Sequence, residues 1–224
     1  SWNFARIAGG DALGDFNGNG SVARFERPYS GYWDVDANAL IFVDTNNNKI
    51  KRATHIGGDP DLATNWEITT VAGSTAGFAD GTIPQFSLPT DVKPAANGGY
   101  YVLDYNNNRI RLVSASGTAS TVAGTGIVGQ TDGTPGVLDN PVWGSVDASG
   151  ILYFTENNSL SLRSFRPGGV STVLRWTAGT PAEGVGSQFK ANLPVNTNIA
   201  VDPSSGDVWL VGRSAIYLVQ RIVR

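Results

Sequence analysis

Thr70-Val71-Ala72-Gly73 and Thr121-Val122-Ala123-Gly124 enclose the stretch of sequence that decides the fold. Between them a glycine-rich segment, residues 77–81, leads to Pro89. Two short apolar runs follow, at 100–103 and 110–113, and the connection between them contains three successive asparagines. The second Thr-Val-Ala-Gly begins the pattern again, so this stretch is one complete copy of a repeat.

A repeat of roughly 50 residues, built from short β-rich runs and Gly/Asn turns, is typical of a β-propeller, in which each copy forms one four-stranded blade. The stretch predicts an innermost strand after Pro89, a second strand at 99–104, a third at 109–114 and an outermost strand at 119–123. Asparagine tolerates the left-handed backbone of a tight turn, which suits the connection between the second and third strands. The glycine that ends each Val-Ala-Gly element accepts a positive φ, so the chain can reverse at the rim.

Three markers recur in the same order along the chain. The Val-Ala-Gly element recurs at 7–9, 71–73, 122–124 and, in altered form, 177–179. The proline before an inner strand recurs as Pro28, Pro89, Pro141 and Pro194. The asparagine hairpin recurs at 43–50, 103–110 and 154–160, and the fourth copy lacks it. This order predicts a single all-β propeller domain of four blades, at about 28–73, 89–124, 141–174, and 194–224 with 1–9.

These motifs are similar to those of the NHL-repeat family of β-propellers. The resemblance rests on the glycine-rich loop that ends in Phe25 and Pro28, the Asp-x-Asn-Asn-Asn-[Lys/Arg]-Ile hairpin at 44–50 and 104–110, and Ser-Thr-Val-Ala-Gly at 120–124. It covers nearly the whole chain and is strongest in the first two copies. The resemblance implies about six blades, within the usual range of four to eight for propellers, whereas four copies occur here.

The two ends of the chain supply complementary parts of one blade. Residues 1–10 align with an outermost strand, and residues 198–222 supply three strands without an outermost one. This predicts a ring closed by the N-terminal strand, which joins the last blade and removes exposed sheet edges. The alternative is that two chains of four blades exchange this strand, so the chain is a monomer or a strand-exchanged dimer.

Composition narrows the classes of partner. The chain has 224 residues, 41% hydrophobic and 16% charged, with a formal net charge of −3. No apolar run is long enough to span a bilayer, so no transmembrane segment is expected. A slightly negative field repels a phosphate backbone. The nearest basic cluster (Lys49, Lys51, Arg52, Arg109 and Arg111) is predicted to coat the third strands, so nucleic acid is not expected as a partner.

Cysteine is absent, which excludes disulfides and thiolate chemistry. Ser1 in place of Met, without a charged-then-apolar leader, suggests a processed chain. Asn19-Gly20-Ser21 and Asn157-Asn158-Ser159 are glycosylation sequons on predicted loops, and they favour an extracellular, secreted protein.

Metal and catalytic motifs are sparse. Asp15 to Glu26 satisfies the EF-hand calcium-loop pattern, but the same residues align with the glycine-rich loop of the other copies, which is the preferred interpretation. His55 is the single histidine, so a histidine-based zinc site or a catalytic triad is not expected. Asp36, Asp147 and Asp202, which follow inner strands, are predicted to cap their own turns. No cofactor, metal site or catalytic residue is predicted.

The residues least well explained by blade architecture follow the repeated prolines, where the inner strands begin. They are Tyr29, Tyr32 and Trp33 in the first blade, Thr90, Asp91 and Lys93 in the second, Trp143 in the third, and Asn196 and Asn198 in the fourth. Aromatic rings interleaved with amides and an acid suit a sugar or a protein loop. The alternative is that Trp33 and Trp143 fill the interior of the ring.

The favoured function is a non-enzymatic binding or interaction module, with a protein- or glycan-binding face at the mouth of the channel. One alternative is a lectin with repeated sugar sites, and another is a lactonase- or lyase-like propeller enzyme. Propellers host unrelated functions, so the fold does not decide between them.

Overall fold

The chain folds into four β-sheets. The computed structural model describes residues 4–96, 98–157, 161–177, 188–190, 197–211 and 216–219, with the backbone alone at 174–177 and 188–190. The predicted site residue Asn196, Pro194, the hairpin residues 158–160 and the fourth connection at 212–215 lie outside this part of the chain.

Strands pair antiparallel within the first two sheets. The first sheet has the order β1-β5-β4-β3-β2 and contains β1 (Gly18–Asn19), β2 (Pro28–Asp34), β3 (Ala39–Asp44), β4 (Lys49–His55) and β5 (Trp66–Ala72). The second sheet runs in sequence order and contains β6 (Pro89–Pro94), β7 (Tyr100–Asp104), β8 (Arg109–Val113) and β9 (Ala119–Ala123). The strands of this second sheet are those that the repeat predicts, within one residue at each end.

The third and fourth sheets continue the pattern. The third contains β10 (Pro141–Val146), β11 (Leu152–Glu156), β12 (Ser161–Arg166), β13 (Gly169–Thr177) and β14 (Gln188–Lys190), and β14 is parallel to β13. The described part of the fourth contains β15 (Asn198–Val201), β16 (Val208–Val211) and β17 (Ile216–Val219). This all-β arrangement confirms the predicted propeller architecture and its four sheets.

The innermost strands of consecutive sheets pack side by side, β2 on β6, β6 on β10, and β10 on β15. Pro28, Pro89 and Pro141 begin the first three of these strands. Each of these strands lies at the edge of its sheet, where a residue without an N–H costs no ladder hydrogen bond. The proline marker therefore has a physical basis.

Apolar side chains fill the space between neighbouring sheets. Between the first and second sheets, Ile41 and Val43 lie in one buried cluster with Val92 and Val102. Between the second and third, Leu103 lies in a cluster with Phe154 and Phe165, and the fourth sheet packs on the third through Val208 and Leu210. Alternate residues of each second strand thus face opposite neighbours, as the period of a strand requires.

Asparagine and glycine carry the reversals that the sequence predicts. Asn48 and Asn108 have φ of 56° and 50°, and each ends a 3-10 turn. Gly73 and Gly124 have φ of 101° and 88°. A Cβ at either glycine would lie 2.3 or 2.2 Å from the carbonyl oxygen of Asn48 or Asn108, so no other residue fits there.

The N-terminal segment packs against the first sheet. Ile7 and Ala8 contact the buried cluster that contains Phe42, and Gly9 N donates to Gly20 O at 3.1 Å. Residues 4–10 form no strand, and the described part of the fourth sheet has three strands. Residues 1–3 and 220–224 lie outside the described ranges. Closure of the ring by the N-terminal strand therefore stays a prediction.

Candidate functional site

One basic side chain of each of the first three third strands lies in the interior. Lys51, Arg111 and Arg163 occupy equivalent positions on β4, β8 and β12, and all three side chains are fully buried. Arg111 donates to Asp104 Oδ2 at 2.8 Å and to Asp80 Oδ1 at 2.6 Å. Asp104 ends the second strand of its sheet, whereas Asp80 comes from the glycine-rich loop before the sheet.

The same network recurs in the neighbouring sheets. Arg163 donates to Glu156 Oε2 at 3.2 Å and to Asp132 Oδ1 at 3.0 Å. Lys51 donates to Asp15 Oδ1 at 2.7 Å. These buried cations are neutralised by carboxylates of the loop before their sheet and, for Arg111 and Arg163, of the second strand as well. Three of the chain's positive charges are thereby removed from any surface that would meet a phosphate backbone.

The loop with the EF-hand pattern belongs to this network. Asp15 pairs with Lys49 and Lys51, and Asn17 Oδ1 accepts from Lys51 Nζ at 2.8 Å and from Thr70 Oγ1 at 3.1 Å. Burial alone would raise the pKa of Asp15, but the hydrogen bonds and charges of the two lysines outweigh it and hold that pKa below its ordinary value. The side-chain oxygens of Asp15 and Asn17, the first two ligand positions of the pattern, thus accept hydrogen bonds from lysine. These bonds agree with the interpretation of this segment as a connecting loop. Within the described ranges, no group of three or more His, Cys, Asp or Glu side chains is placed to hold a metal ion.

Asp91 joins the innermost strands of the first three sheets. The side chain is 1% exposed. Its Oδ1 accepts from Ser30 Oγ of β2 at 2.6 Å and from Lys93 Nζ at 2.6 Å, and its Oδ2 accepts from Gly144 N of β10 at 2.7 Å. These partners cover both oxygens, so the position of Asp91 favours a structural role, with Lys93 as its counter-ion.

Aromatic rings lie across the interior one residue away from this junction. The Tyr29 ring of β2 stacks on the Trp143 indole of β10, with centroids 4.9 Å apart and an interplanar angle of 21°. Tyr29 and Trp143 come from the first and third sheets. The pair fills the interior at this level, while one side of Tyr29 remains part of a cavity wall.

A polar cavity of about 180 Å³ opens at the end of the inner strands where the prolines lie. We name it the Arg27 mouth. Its walls are formed by Arg27, Tyr29, Thr45, Leu88, Thr90, Tyr105, Val142 and Asn157. These residues come from the inner strands of the first three sheets, from the loop residues that precede these strands, and from the hairpins between second and third strands, so the cavity exists only when the sheets are assembled.

Two groups at the Arg27 mouth have a hydrogen-bonding or charged atom without a partner among the described residues. The Arg27 guanidinium lies over the Tyr29 ring, with Cζ 5.2 Å from its centroid, and makes no ion pair within the described part of the chain. Asn157 Nδ2 donates to the Tyr105 hydroxyl at 2.7 Å, whereas the buried Asn157 Oδ1 accepts no hydrogen bond from the described residues. The cavity thus presents a cation and a free carbonyl acceptor beside an aromatic ring.

The other predicted contact residues do not meet at this mouth. Trp33 follows Tyr29 by four residues on β2, and a rise of about 3.3 Å per residue places it about 13 Å further along the strand. It is 46% exposed. Tyr32 lies at that far end with Tyr100, at a centroid distance of 6.3 Å, and burial, followed by the charge of Asp34, raises the pKa of Tyr32.

Two further predicted residues lie elsewhere. Asn198 is exposed on β15 of the fourth sheet, where its Oδ1 accepts from Ile199 N at 2.7 Å. Thr90 lies in the wall of the Arg27 mouth and donates to Pro141 O at 3.2 Å. The predicted set is therefore distributed over the two ends of the inner strands, the space between these strands and the fourth sheet.

Sequence reasoning missed Arg27, Tyr105 and Asn157. Arg27 precedes the proline marker and has a left-handed φ of 57°, and Leu88 and Asn140 share this conformation at the equivalent positions. Tyr105 and Asn157 were assigned to hairpins as turn residues. A comparison of the residues before each proline would have singled out Arg27 as the one cation among them.

His55 ends β4 and packs near Trp66, with ring centroids 5.3 Å apart. Trp66 anchors the loop that follows β4, because its Nε1 donates to Pro60 O at 2.8 Å. His55 lies in the first sheet's outer part and is not among the residues that line the Arg27 mouth.

The acceptor asparagines of the two sequons form side-chain hydrogen bonds in the folded chain. Asn19 Nδ2, to which a glycan would be attached, donates to Thr64 O at 2.6 Å, and Asn157 Nδ2 donates to Tyr105. Both amides are engaged in the folded chain. None of the helical turns in the described ranges has the length and apolar character of a membrane-spanning helix.

Comparison by sequence finds no similar protein: no family model and no curated protein matches the chain. Comparison by structure finds β-propeller proteins. An auxiliary nutrient binding protein from Bacteroides ovatus ATCC 8483 aligns with a TM-score of 0.60 and 13% identity, over 96% of this chain and 45% of that chain. Nidogen, in its complex with laminin, aligns with a TM-score of 0.57 and 14% identity, over 88% of this chain and 66% of that chain.

A virginiamycin B lyase from Staphylococcus aureus aligns with a TM-score of 0.53 and 15% identity over 91% of this chain and 59% of that chain. The chain thus spans about half the length of this lyase and of the nutrient binding protein. At these identities the similarity establishes the propeller fold and does not carry an activity with it.

Proposed function

We propose that this chain is a non-enzymatic binding module that holds its ligand in the Arg27 mouth. The observation that supports this most strongly is Asn157 Oδ1, a buried acceptor without a donor among the described residues. Leaving such a group unpaired costs about 1–3 kcal/mol. A ligand hydroxyl or N–H placed in the cavity would remove that cost.

The charge and shape of the mouth define the ligand further. Arg27 is exposed and free of carboxylate partners within the described ranges, and its planar guanidinium suits a carboxylate. The cavity of about 180 Å³ is below the 300–1,000 Å³ of common small-molecule sites. It therefore suits a single sugar ring that carries a carboxylate, or one acidic side chain of a protein loop.

The structural neighbours are compatible with a binding role. Two of them are auxiliary nutrient binding proteins from Bacteroides, with TM-scores of 0.60 and 0.57. Others are a virginiamycin B lyase and a gluconolactonase, so neighbours of this fold include enzymes as well. The proposal rests on the Arg27 mouth and not on these neighbours.

Calorimetric titration tests the proposal with a hexuronate, the neutral hexose of the same ring, and a short peptide rich in Glu. One of the two acidic ligands should bind saturably without turnover, and Arg27→Gln should weaken it about tenfold, as expected for the loss of a charge-assisted hydrogen bond. Arg166→Gln is the matched control, because Arg166 is exposed at the end of β12, away from the mouth. Equal binding by the two variants would overturn the site.

No specific observation on the described residues favours either of the two alternative functions. A lectin with repeated sugar sites would need the cation in several blades, but Leu88 and Asn140 occupy the positions equivalent to Arg27. A lactonase- or lyase-like enzyme would lose its activity with a chelator, and that assay keeps the enzymatic alternative testable.

We also propose that the repeat belongs to the NHL type and that the protein works outside the cell, facing a protein or glycan and not nucleic acid. The NHL assignment is supported by the roles of its motif residues: Asn47 Nδ2 donates to Asp44 Oδ2 at 2.8 Å, and Asn107 Nδ2 to Asp104 Oδ2 at 2.9 Å. The extracellular location is tested by fractionation of the source cells, where recovery in the cytosol would contradict it.

A further inference from the structure

A stack of aromatic rings holds the Arg27 guanidinium at the mouth. The guanidinium lies over the Tyr29 ring, and in the described part of the chain it lies over no other ring. The Trp143 indole stacks on the same ring with an interplanar angle of 21°, so it fills one face of Tyr29 and the guanidinium takes the other. A guanidinium on a ring face keeps its in-plane N–H groups free for a ligand.

This stack and the size of the cavity argue against a free sugar acid as the ligand. Both faces of Tyr29 are covered, so a sugar ring cannot pack on it. The cavity of about 180 Å³ is also too small for a site that buries a whole small molecule. A single side chain that enters from a larger partner needs neither the ring face nor the volume, because the rest of the partner stays outside.

A second feature of the walls matches a peptide group. The Tyr105 hydroxyl accepts from Asn157 Nδ2 at 2.7 Å and keeps its own hydrogen for a further acceptor. The adjoining Asn157 Oδ1 accepts no hydrogen bond from the described residues. The pair therefore offers one donor and one acceptor, and a peptide group carries the complementary C=O and N–H.

Both members of this pair are fixed by Asn140, which directly precedes β10. Asn140 Nδ2 donates to Tyr105 O at 3.1 Å, and Asn140 O accepts from Asn157 N at 3.0 Å. Asn140 N donates in turn to Asn108 Oδ1 at 2.8 Å. One residue thus connects the hairpins of the second and third sheets, and groups that are already ordered lose less entropy on binding.

The surface around the mouth is polar. Asn46 and Asn106 follow the lining residues Thr45 and Tyr105 in their 3-10 turns, and both asparagines are exposed. A loop that inserts one side chain into the mouth would lie across these turns. A polar rim around a buried anchor is the usual anatomy of a protein interface, and Arg, Tyr and Trp are the residue types enriched at such anchors.

We infer that the Arg27 mouth receives one Asp or Glu side chain of a protein loop. The carboxylate pairs with Arg27, which has no ion-pair partner within the described ranges, and a peptide group of the same loop pairs with Tyr105 and Asn157. The inference rests on the proposed function, because it names the ligand class of the same cavity, and it sets the sugar acid aside.

Calorimetric titration of the unsubstituted chain tests the ligand class with a blocked pentapeptide that has one central Glu, the same peptide with Gln, and a hexuronate. The Glu peptide should bind at least about tenfold tighter than the other two, since one lacks the charge and the other the peptide group. Equal binding of the two peptides would overturn the inference. Hexuronate binding that is equal or tighter, and weakened by Arg27→Gln, would overturn it and leave the proposed function standing. No binding of any probe would overturn both.

Two variants separate the two contacts. Arg27→Gln should remove the preference for the Glu peptide over the Gln peptide. Tyr105→Phe should keep that preference but weaken the Glu peptide about fivefold, through the lost hydroxyl. Tyr32→Phe, at the far end of β2, is the matched control and should leave the affinity unchanged. If Tyr105→Phe binds the Glu peptide as tightly as Tyr32→Phe does, the peptide group is not held by Tyr105 and the inference fails.

Discussion

The Tyr29 ring and the Trp143 indole stack between the innermost strands of the first and third sheets, at a centroid distance of 4.9 Å. Trp143→Ala should lower the free energy of unfolding by about 3 kcal/mol, since truncation of a large aromatic leaves a cavity between two sheets. Trp143→Phe should cost less, because it keeps a stacked ring and removes the buried indole N–H, which has no acceptor among the described residues. Urea unfolding measures both.

Trp33→Ala is the control for this pair, because Trp33 is 46% exposed. It should change stability by less than about 1 kcal/mol. If Trp143→Ala costs no more than Trp33→Ala, the stacked pair does not stabilise the contact between the first and third sheets. Ligand binding at the Arg27 mouth should fall with Trp143→Ala, because the indole supports the Tyr29 side of the cavity.

Because Arg163 and Glu156 form a buried ion pair, we expect truncation of either side chain to lower the free energy of unfolding strongly. Both side chains are fully buried, so Arg163→Met removes a buried cation that pairs with the Glu156 carboxylate. The expected loss is about 3–5 kcal/mol of unfolding free energy. Arg166→Met, three residues further along the same strand and exposed, should cost less than about 0.5 kcal/mol. Similar melting temperatures for the two variants would contradict the structural role of Arg163.

Asp132 predicts a pH dependence of stability. Burial alone would raise its pKa, but the Thr172 backbone and hydroxyl and the Arg163 guanidinium outweigh it and hold the pKa of Asp132 below its ordinary value. The unfolded chain then takes up a proton at this carboxyl at higher pH than the folded chain. The stabilisation is present above the ordinary pKa of about 3.9 and is lost as the pH falls through the folded value.

Asp132→Asn should therefore show a smaller loss of stability than the unsubstituted chain between pH 5 and pH 3, measured as the urea midpoint. Asp11→Asn, at an exposed carboxyl that pairs with Arg6 in the N-terminal segment, serves as the comparison. Parallel pH curves for the Asp132→Asn variant and the unsubstituted chain would show that this carboxyl is not linked to folding.

Substitution of Asn108 should lower the free energy of unfolding in two separable ways. Its Oδ1 accepts from Asn140 N of the next sheet at 2.8 Å, and its φ is 50°. Asn108→Gly keeps the left-handed backbone but removes the acceptor, at about 1–2 kcal/mol. Asn108→Ala adds the cost of a left-handed alanine, a further 1 kcal/mol or so.

Asn38 provides the matched control, because it is exposed with a φ of 46° and its side chain makes no hydrogen bond to the described residues. Asn38→Gly should leave the unfolding free energy nearly unchanged. An equal effect of Asn108→Gly and Asn38→Gly would argue that the bond between sheets contributes nothing.

The turns and strand ends were predictable from the sequence because they depend on the residue type at single positions. Asn48 and Asn108 adopt the left-handed turns that their residue type favours, and Asp147 and Asp202 cap their own turns, with Ser149 N and Ser204 N donating at 2.9 and 2.8 Å. In the first sheet Asp34, and not Asp36, caps the turn, since its Oδ1 accepts from Ala37 N at 3.0 Å. The prolines begin edge strands because they lack an N–H. Each of these outcomes depends on neighbours within a few residues, which a sequence displays directly.

The candidate site was less predictable because it is assembled from three sheets. Arg27, Tyr105 and Asn157 are far apart in the chain and meet only at the mouth of the ring. Asp91 seemed a contact residue by its position after a proline, but the tertiary structure surrounds it with Ser30, Lys93 and Gly144.

The sequence alone determined the repeat, its strands and its turns, because hydrophobic alternation and the backbone preferences of Asn, Gly and Pro act over short distances. The tertiary structure alone decided which charges are buried and which ring faces which. Those properties depend on the packing of one sheet on the next and of each loop on its sheet, which brings together side chains such as Tyr29 and Trp143 from different repeats.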